Sequence, residues 1–189
     1  MAPPVALRTH PLACPDDVVE GANLSGQDLS GMDFRGRDLS KTNLRDAKLC
    51  GCDLTGAELM GADLTGADLR DAILVRAGLT MATLDGANCT QADFTQASLT
   101  QASLHGVDAD LACFDGARLT ETDLSKGSFT SASFAKSSLQ NCNVNHANFR
   151  DSSFDNACIR GLRNFTGSNW LHANTVSYTH LTLPTIRLV

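Results

Sequence analysis

The chain has almost no proline where a regular backbone would suffer from it. Its five prolines stand at positions 3, 4, 11, 15 and 184, and the long stretch between them keeps every backbone NH. Such a stretch can commit all its donors to one repeated hydrogen-bond ladder. Aromatic residues are scarce, at 5% against 42% hydrophobic, so the expected core is narrow and built from Leu and Ala rather than from large rings. No apolar run reaches the length of a membrane-spanning helix. There is no basic excess either. The net charge of −6 and pI near 5.2 argue against non-specific contact with nucleic acid or an anionic membrane surface. The opening "MAPPVALRTHPLACPDD" lacks an apolar core, so no secretory signal is expected, and "PLAC" ending at Cys14 is not read as a lipoprotein site. The seven cysteines contain no CxxC, and their odd number without an export signal points to reduced thiols and a cytoplasmic location.

What the sequence does have is a period of five. In "LTGAELMGADLTGADLRDA", residues 54 to 72, leucine returns at Leu54, Leu59, Leu64 and Leu69. With that apolar residue as the centre of each unit, centres recur from residue 24 to residue 159 without a slip, twenty-eight in all. Seventeen are Leu and seven are Phe, which marks the centre as an interior position; the others are Cys89, Ala109, Val144 and Ile159. Two residues earlier the side chain is usually Ala or another small group. A helix advances about 100° per residue, so centres five apart would scatter around all its faces. A straight strand would send successive centres to opposite sides. A short strand followed by a corner meets the pattern. In "ADLTG", residues 62 to 66, Ala62 and Leu64 point inward, Asp63 points outward, and Thr65 and Gly66 turn the chain.

Repeated corners make a coil, and stacked coils make a parallel β-solenoid. Four units per coil would put every fourth centre on one side. Phe34, Phe94, Phe114, Phe134 and Phe154 then share a side, with Leu54 and Leu74 between them, and Phe129 and Phe149 share the preceding one. Seven such coils, at roughly 4.8 Å each, make a rod about 34 Å long.

"GADLTGADLRDA" and "QADFTQASLTQASL" resemble the pentapeptide-repeat family, whose motif is A-(D/N)-L-x-x, and the resemblance covers residues 22 to 161. It implies an all-β fold, a right-handed quadrilateral parallel β-helix. After Ile159 the phase slips by one, and "RNFTG", "SNWLH" and "ANTVS" continue as units centred on Phe165, Trp170 and Thr175. The expected organisation is an N-terminal tail or cap over 1–20 and the β-helix over 21–175. The tail 176–189, "VSYTHLTLPTIRLV", resembles translated sequencing-adapter DNA and reads as non-native.

Little in this pattern points to chemistry, and no enzyme, catalytic residue, cofactor or metal site is expected. Cys52, Cys89 and Cys142 occupy inward positions; Cys50, Cys113 and Cys158 face outward on different sides or distant coils. His105 and His146 face outward two coils apart. The aspartates stand at the outward position the motif prescribes, on a convex surface, whereas a catalytic carboxylate pair needs a concave and partly dry pocket.

Two surface features remain. Ile73 and Val75 are apolar at outward positions, with Met60 and Met81 outward on the adjoining side, and these four form the candidate partner contact. The most acidic side carries Asp28, Asp68, Asp71, Asp108 and Asp110, interleaved with Lys48, Arg70 and Arg150. The expected function is a bacterial, non-enzymatic scaffold that binds another protein, with no membrane or direct nucleic-acid contact; a homodimer is compatible with this pattern. The alternative, which the family resemblance implies, is a DNA-mimicking protein that binds DNA gyrase and protects it from quinolones.

Overall fold

A computed structural model describes residues 20–174. The chain winds as a right-handed quadrilateral β-helix, and there is no helix among the described residues. Each side is a three-residue segment. Its two end residues are buried and its middle residue faces out and pairs in parallel with the residue twenty positions on, as in Asp33↔Asp53 and Asp53↔Ile73. The sides are so short that most pairing is confined to that one residue. Among the described residues only Ser138–Gln140 (β1) and Cys158–Arg160 (β2) extend to three-residue strands, paired in parallel.

The backbone donors are assigned with great regularity. The centre's NH donates to the carbonyl of the pre-centre residue one coil on, as Leu54 does to Ile73 at 2.7 Å. The pre-centre NH donates back to the coil below, Ile73 to Cys52 at 2.9 Å. The corner NH of Gly56 donates to Val75 at 2.8 Å, and the NH of Ala57 closes the turn onto the carbonyl of Leu54 at 2.9 Å. That last bond, with a positive φ at the residue before its donor, is the signature of a type II turn. Gly66 meets it with φ 68°, a conformation glycine adopts freely. Elsewhere non-glycine residues take the same left-handed region, among them Lys41, Asp71, Met81 and Leu111. Their side chains point to solvent at the corner, and the ladder on either side holds the backbone in place.

The interior is a column of centres lined by the small residues two positions before them. Phe94, Phe114, Phe134 and Phe154 stack at successive centroid spacings of 4.8 Å, the rise of one coil. Phe129 and Phe149 stack beside them at 5.1 Å and meet the first column edge to face. Trp170 continues the second column, 4.3 Å from Phe149. The expected grouping of the rings is therefore found. Volume is balanced between the two inward positions. Where the centre shrinks to Ala109, the residue two before it grows to Val107; where the centre is Phe129, its neighbour shrinks to Gly127. Inward hydroxyls are all satisfied by the backbone, as Thr42 Oγ1 donates to Leu39 O at 2.7 Å and Thr122 Oγ1 to Leu99 O at 2.8 Å.

The phase slip is found too. Beyond Asn143↔Arg163 the pairing interval lengthens from twenty to twenty-one residues, in Asn148↔Asn169 and Ser153↔Asn174. The extra residue is Asn164, which takes φ 51° between Arg163 and the centre Phe165. The expected centre Thr175, the N-terminal cap up to residue 19 and the tail from 176 lie outside the described residues.

A Cβ added to Gly127 would lie 2.6 Å from the edge of the Phe129 ring and 3.2 Å from the carbonyl of Leu124. Gly127→Ala should therefore destabilise the fold by about 1–3 kcal/mol, the usual range for overpacking. Adding Phe129→Leu restores the Ala-x-Leu combination of other units and should recover part of that loss in urea denaturation.

Candidate functional site

The ladder leaves one backbone donor per unit without a main-chain acceptor: the NH of the residue after the centre. The aspartate or asparagine before the centre supplies the acceptor. Asp33 Oδ1 receives the NH of Arg35 at 3.0 Å, Asp53 that of Thr55 at 3.0 Å, and Asp93 that of Thr95 at 2.8 Å. The D/N of the motif is thus a cap for the corner, formed like an Asx turn. A second arrangement serves units that have serine before the centre. There an aspartate one coil below takes both the serine hydroxyl and the orphan NH. Asp85 accepts from Ser103 Oγ and the NH of His105, Asp110 from Ser128 Oγ and the NH of Thr130, and Asp115 from Ser133 Oγ and the NH of Ala135. Sequence reasoning missed this set. Its signal is an aspartate just after a centre followed eighteen residues later by a serine just before one.

These bonds explain the state of the carboxylates. The Arg35 guanidinium, with its NH, pulls the Asp33 carboxyl down to about 2. Ser30 lowers Asp28, Ser40 lowers Asp38 and Arg70 lowers Asp68, in each case chiefly by a side-chain hydrogen bond to the ionised form. These four carboxylates are anions held in place as acceptors.

The five residues of the acidic side do fall together, but not as an unbroken row. Lys48 pairs in the ladder between Asp28 and Asp68, and Asn88 between Asp68 and Asp108. Lys48 Nζ lies 3.5 Å from Asp28 Oδ2, and Arg70 Nη2 lies 2.6 Å from Asp68 Oδ2. Asp110 is engaged as a cap, while Asp71 stands exposed in a corner with φ 57°. The four apolar candidates fall in two places. Ile73, 40% exposed, and half-buried Val75 lie side by side on one side of the coil. Met60 and Met81, 48% and 61% exposed, share the corner at the far end of the next side, on successive coils. Leu111, 58% exposed at a left-handed corner, belongs with these surface apolar groups and was not anticipated. It could have been found as a large apolar residue at a position that, Met81 apart, is given to glycine or polar residues.

Cys52, Cys89 and Cys142 are buried, and Cys50, Cys113 and Cys158 are half-exposed and free. Burial pushes the thiol of Cys52 up to about 11, that of Cys142 up to about 12 and that of Cys89 higher still, so all three stay protonated at neutral pH. His105 Nδ1 lies 2.9 Å from Ser125 Oγ, and His146 is exposed. Among the described residues no group of three His, Cys, Asp or Glu side chains is arranged to hold a metal ion.

The pattern of this coil is matched by the family described as Pentapeptide repeats, in eight copies over residues 20–56, 52–88, 87–125, 112–151 and 128–161. These spans join without a gap over most of the chain, and the chain belongs to that family. No curated protein sequence matches it. Among solved structures it is similar to a trypsin-treated variant of QnrB1, a plasmid-mediated fluoroquinolone resistance protein. The two are 16% identical over 82% of this chain and 93% of the other, with a TM-score of 0.58. It is also similar to HetL, a pentapeptide repeat protein involved in heterocyst differentiation regulation in the cyanobacterium Nostoc. There identity is 22% over 84% of this chain and 89% of HetL, with a TM-score of 0.34. A pentapeptide repeat protein of the Arabidopsis thaliana thylakoid lumen is 31% identical over 61% of this chain and 67% of its own, at a TM-score of 0.33. At 16% identity the likeness to QnrB1 is one of fold.

Two predictions follow from the caps. Asp110→Ala strands the NH of Thr130 and leaves the hydroxyl of Ser128 only Thr130 Oγ1 at 3.3 Å, and should cost about 1–3 kcal/mol, while Asp71→Ala should change stability by less than about 0.5 kcal/mol. Chemical denaturation of the two variants checks the difference. The second concerns pH. Asp28, Asp33, Asp38 and Asp68 have folded pKa values below the ordinary carboxylate value of about 3.9. Their contribution is complete above that value and is lost as pH falls through the folded values, toward about 2 for Asp33. Melting temperature should hold steady from neutral pH down to the ordinary carboxylate range and drop below it.

Proposed function

We propose that this pentapeptide-repeat protein is a non-enzymatic scaffold whose flat sides bind another protein. The observation that carries the reading is Ile73 with Val75. The outward column of Ile73 is otherwise Asp33, Asp53, Asp93, Cys113, Ser133 and Ser153. Ile73 therefore interrupts a polar column with an apolar side chain that the fold leaves 40% exposed. Covering that surface with a partner stabilises the complex at about 25 cal/mol per Å² of apolar area removed from water. Met60 and Met81 offer a second, separate apolar contact. The carboxylates, engaged as caps on a convex surface, are poorly placed for acid–base chemistry on a bound substrate.

The alternative is a DNA-mimicking protein that binds DNA gyrase. Asp28, Asp68, Asp108 and Asp110 on one side favour it. Against it stand Lys48 and Arg70, which are paired within that row and dilute the continuous negative charge a duplex presents. Gyrase supercoiling assays with and without a quinolone separate the two readings.

Replacing Ile73 and Val75 together by Ser should leave the circular dichroism spectrum and melting temperature close to those of the parent. It should remove a protein otherwise recovered by cross-linking and affinity capture from the native cell. Met60→Ser with Met81→Ser tests the second contact separately. Recovery unchanged by both pairs would count against the scaffold reading.

A further inference from the structure

We propose that the Ile73 contact seats a basic amphipathic helix of another protein, lying parallel to the solenoid axis. This rests on the scaffold reading and gives its partner a chemistry. Ile73 is paired with Asp53 in the coil below and Asp93 in the coil above. An exposed isoleucine thus has an aspartate one strand spacing away, about 4.8 Å between backbones, on each side along the axis. Both carboxylates are held in fixed orientation. Asp53 Oδ1 receives the NH of Thr55 and Asp93 Oδ1 that of Thr95, while Asp53 Oδ2 has Arg35 Nε 3.6 Å away. Arg35 pairs mainly with Asp33, its Nε 2.9 Å from Asp33 Oδ1 and 3.6 Å from Asp53 Oδ2, and Arg76 Nε donates to the neutral Gln96 Oε1 at 3.0 Å; these two guanidiniums offset only part of the charge of Asp33, Asp53, Asp71 and Asp93. Asp71, exposed at the corner two residues before Ile73, adds a third negative charge beside the same spot.

The complement of an apolar group between two anions is an apolar side chain between two cations. The spacing decides how that chain is folded. Asp53 and Asp93 are two strand spacings apart, about 9.6 Å. In a helix, residues i and i+7 lie about 10.5 Å apart along the axis, with i+4 between them on the same face. In an extended peptide, residues on one face recur at about 6.8 Å and about 13.6 Å, and neither fits. A helix with Arg at i and i+7 and Leu at i+4 therefore meets all three groups at once. Arg is preferred to Lys because its guanidinium can bind a fixed carboxylate through two NH groups. The net charge of −6 disfavours a second copy of this chain as the occupant.

The test uses the full chain and an alanine-based helical peptide with Arg, Leu and Arg at i, i+4 and i+7, labelled for fluorescence anisotropy. A control peptide carries Glu at both Arg positions. The Arg peptide should bind, the Glu peptide should bind at least tenfold more weakly, and added salt should weaken the first. Ile73→Ser should raise the Kd tenfold or more. Asp53→Asn with Asp93→Asn should do the same while keeping the Oδ1 caps, with an unchanged melting temperature showing that the fold is intact. Equal binding of the two peptides, or affinity for the Arg peptide unaffected by these changes, overturns the proposal. Self-association in analytical ultracentrifugation that Ile73→Ser abolishes would assign the surface to a second copy and overturn it as well. If the peptides fail but the double Ile73/Val75 variant still loses a captured protein, the scaffold reading stands and the basic helix falls. If that variant loses nothing, both readings of this surface fall.

Discussion

Everything in this molecule depends on the corner. After each side the backbone enters the left-handed region, at Gly66 and at Leu111 alike, and the chain turns so that the next two inward residues face the same axis. For an L-residue that conformation costs roughly 1–2 kcal/mol, and it is held because the bonds on both sides of the corner need it. The NH of Gly56 reaches Val75 one coil up while the NH of Ala57 closes onto Leu54. A corner in any other conformation would break both bonds and turn an inward leucine to solvent.

The corner also determines what the surface can be used for. It leaves one NH per unit without a main-chain partner, and the aspartates meet that need from their own unit or from the coil below. The most numerous ionisable groups on the protein are therefore structural acceptors, and those that are shifted are shifted toward ionisation. Freedom to evolve a contact lies where the cap is dispensed with. Ile73 is such a place, and Met60 and Met81 are others, at corners.

Much of this was legible in the residues. The period of five and the inward pair follow from spacing, because an interior this narrow accepts apolar side chains only at fixed intervals; the four sides and the right hand are what the family resemblance implied, and the two phenylalanine columns agree with four units per coil. The slip after Ile159 was legible as a change of phase, but its seat at Asn164 was not, since only the ladder shows which residue is passed over. The shared caps of Asp85, Asp110 and Asp115 were missed because each joins residues eighteen to twenty apart across coils, and a motif of five has no place for them. The apolar candidates are read from the sequence as outward residues on adjoining sides. The coil separates Ile73 and Val75 from Met60 and Met81 by a whole side.

By itself, then, the sequence determined which residues face in and which face out, because a Leu or Phe every five residues is buried only by short sides joined by corners. Only the tertiary structure decided which outward residues meet. Neighbours on this surface are twenty residues apart in the chain, or twenty-one beyond the slip, and their contacts are set by the stacking of coils. That stacking places carboxylates above and below Ile73, pairs Lys48 with Asp28, and turns a run of repeated letters into a surface with one distinctive spot.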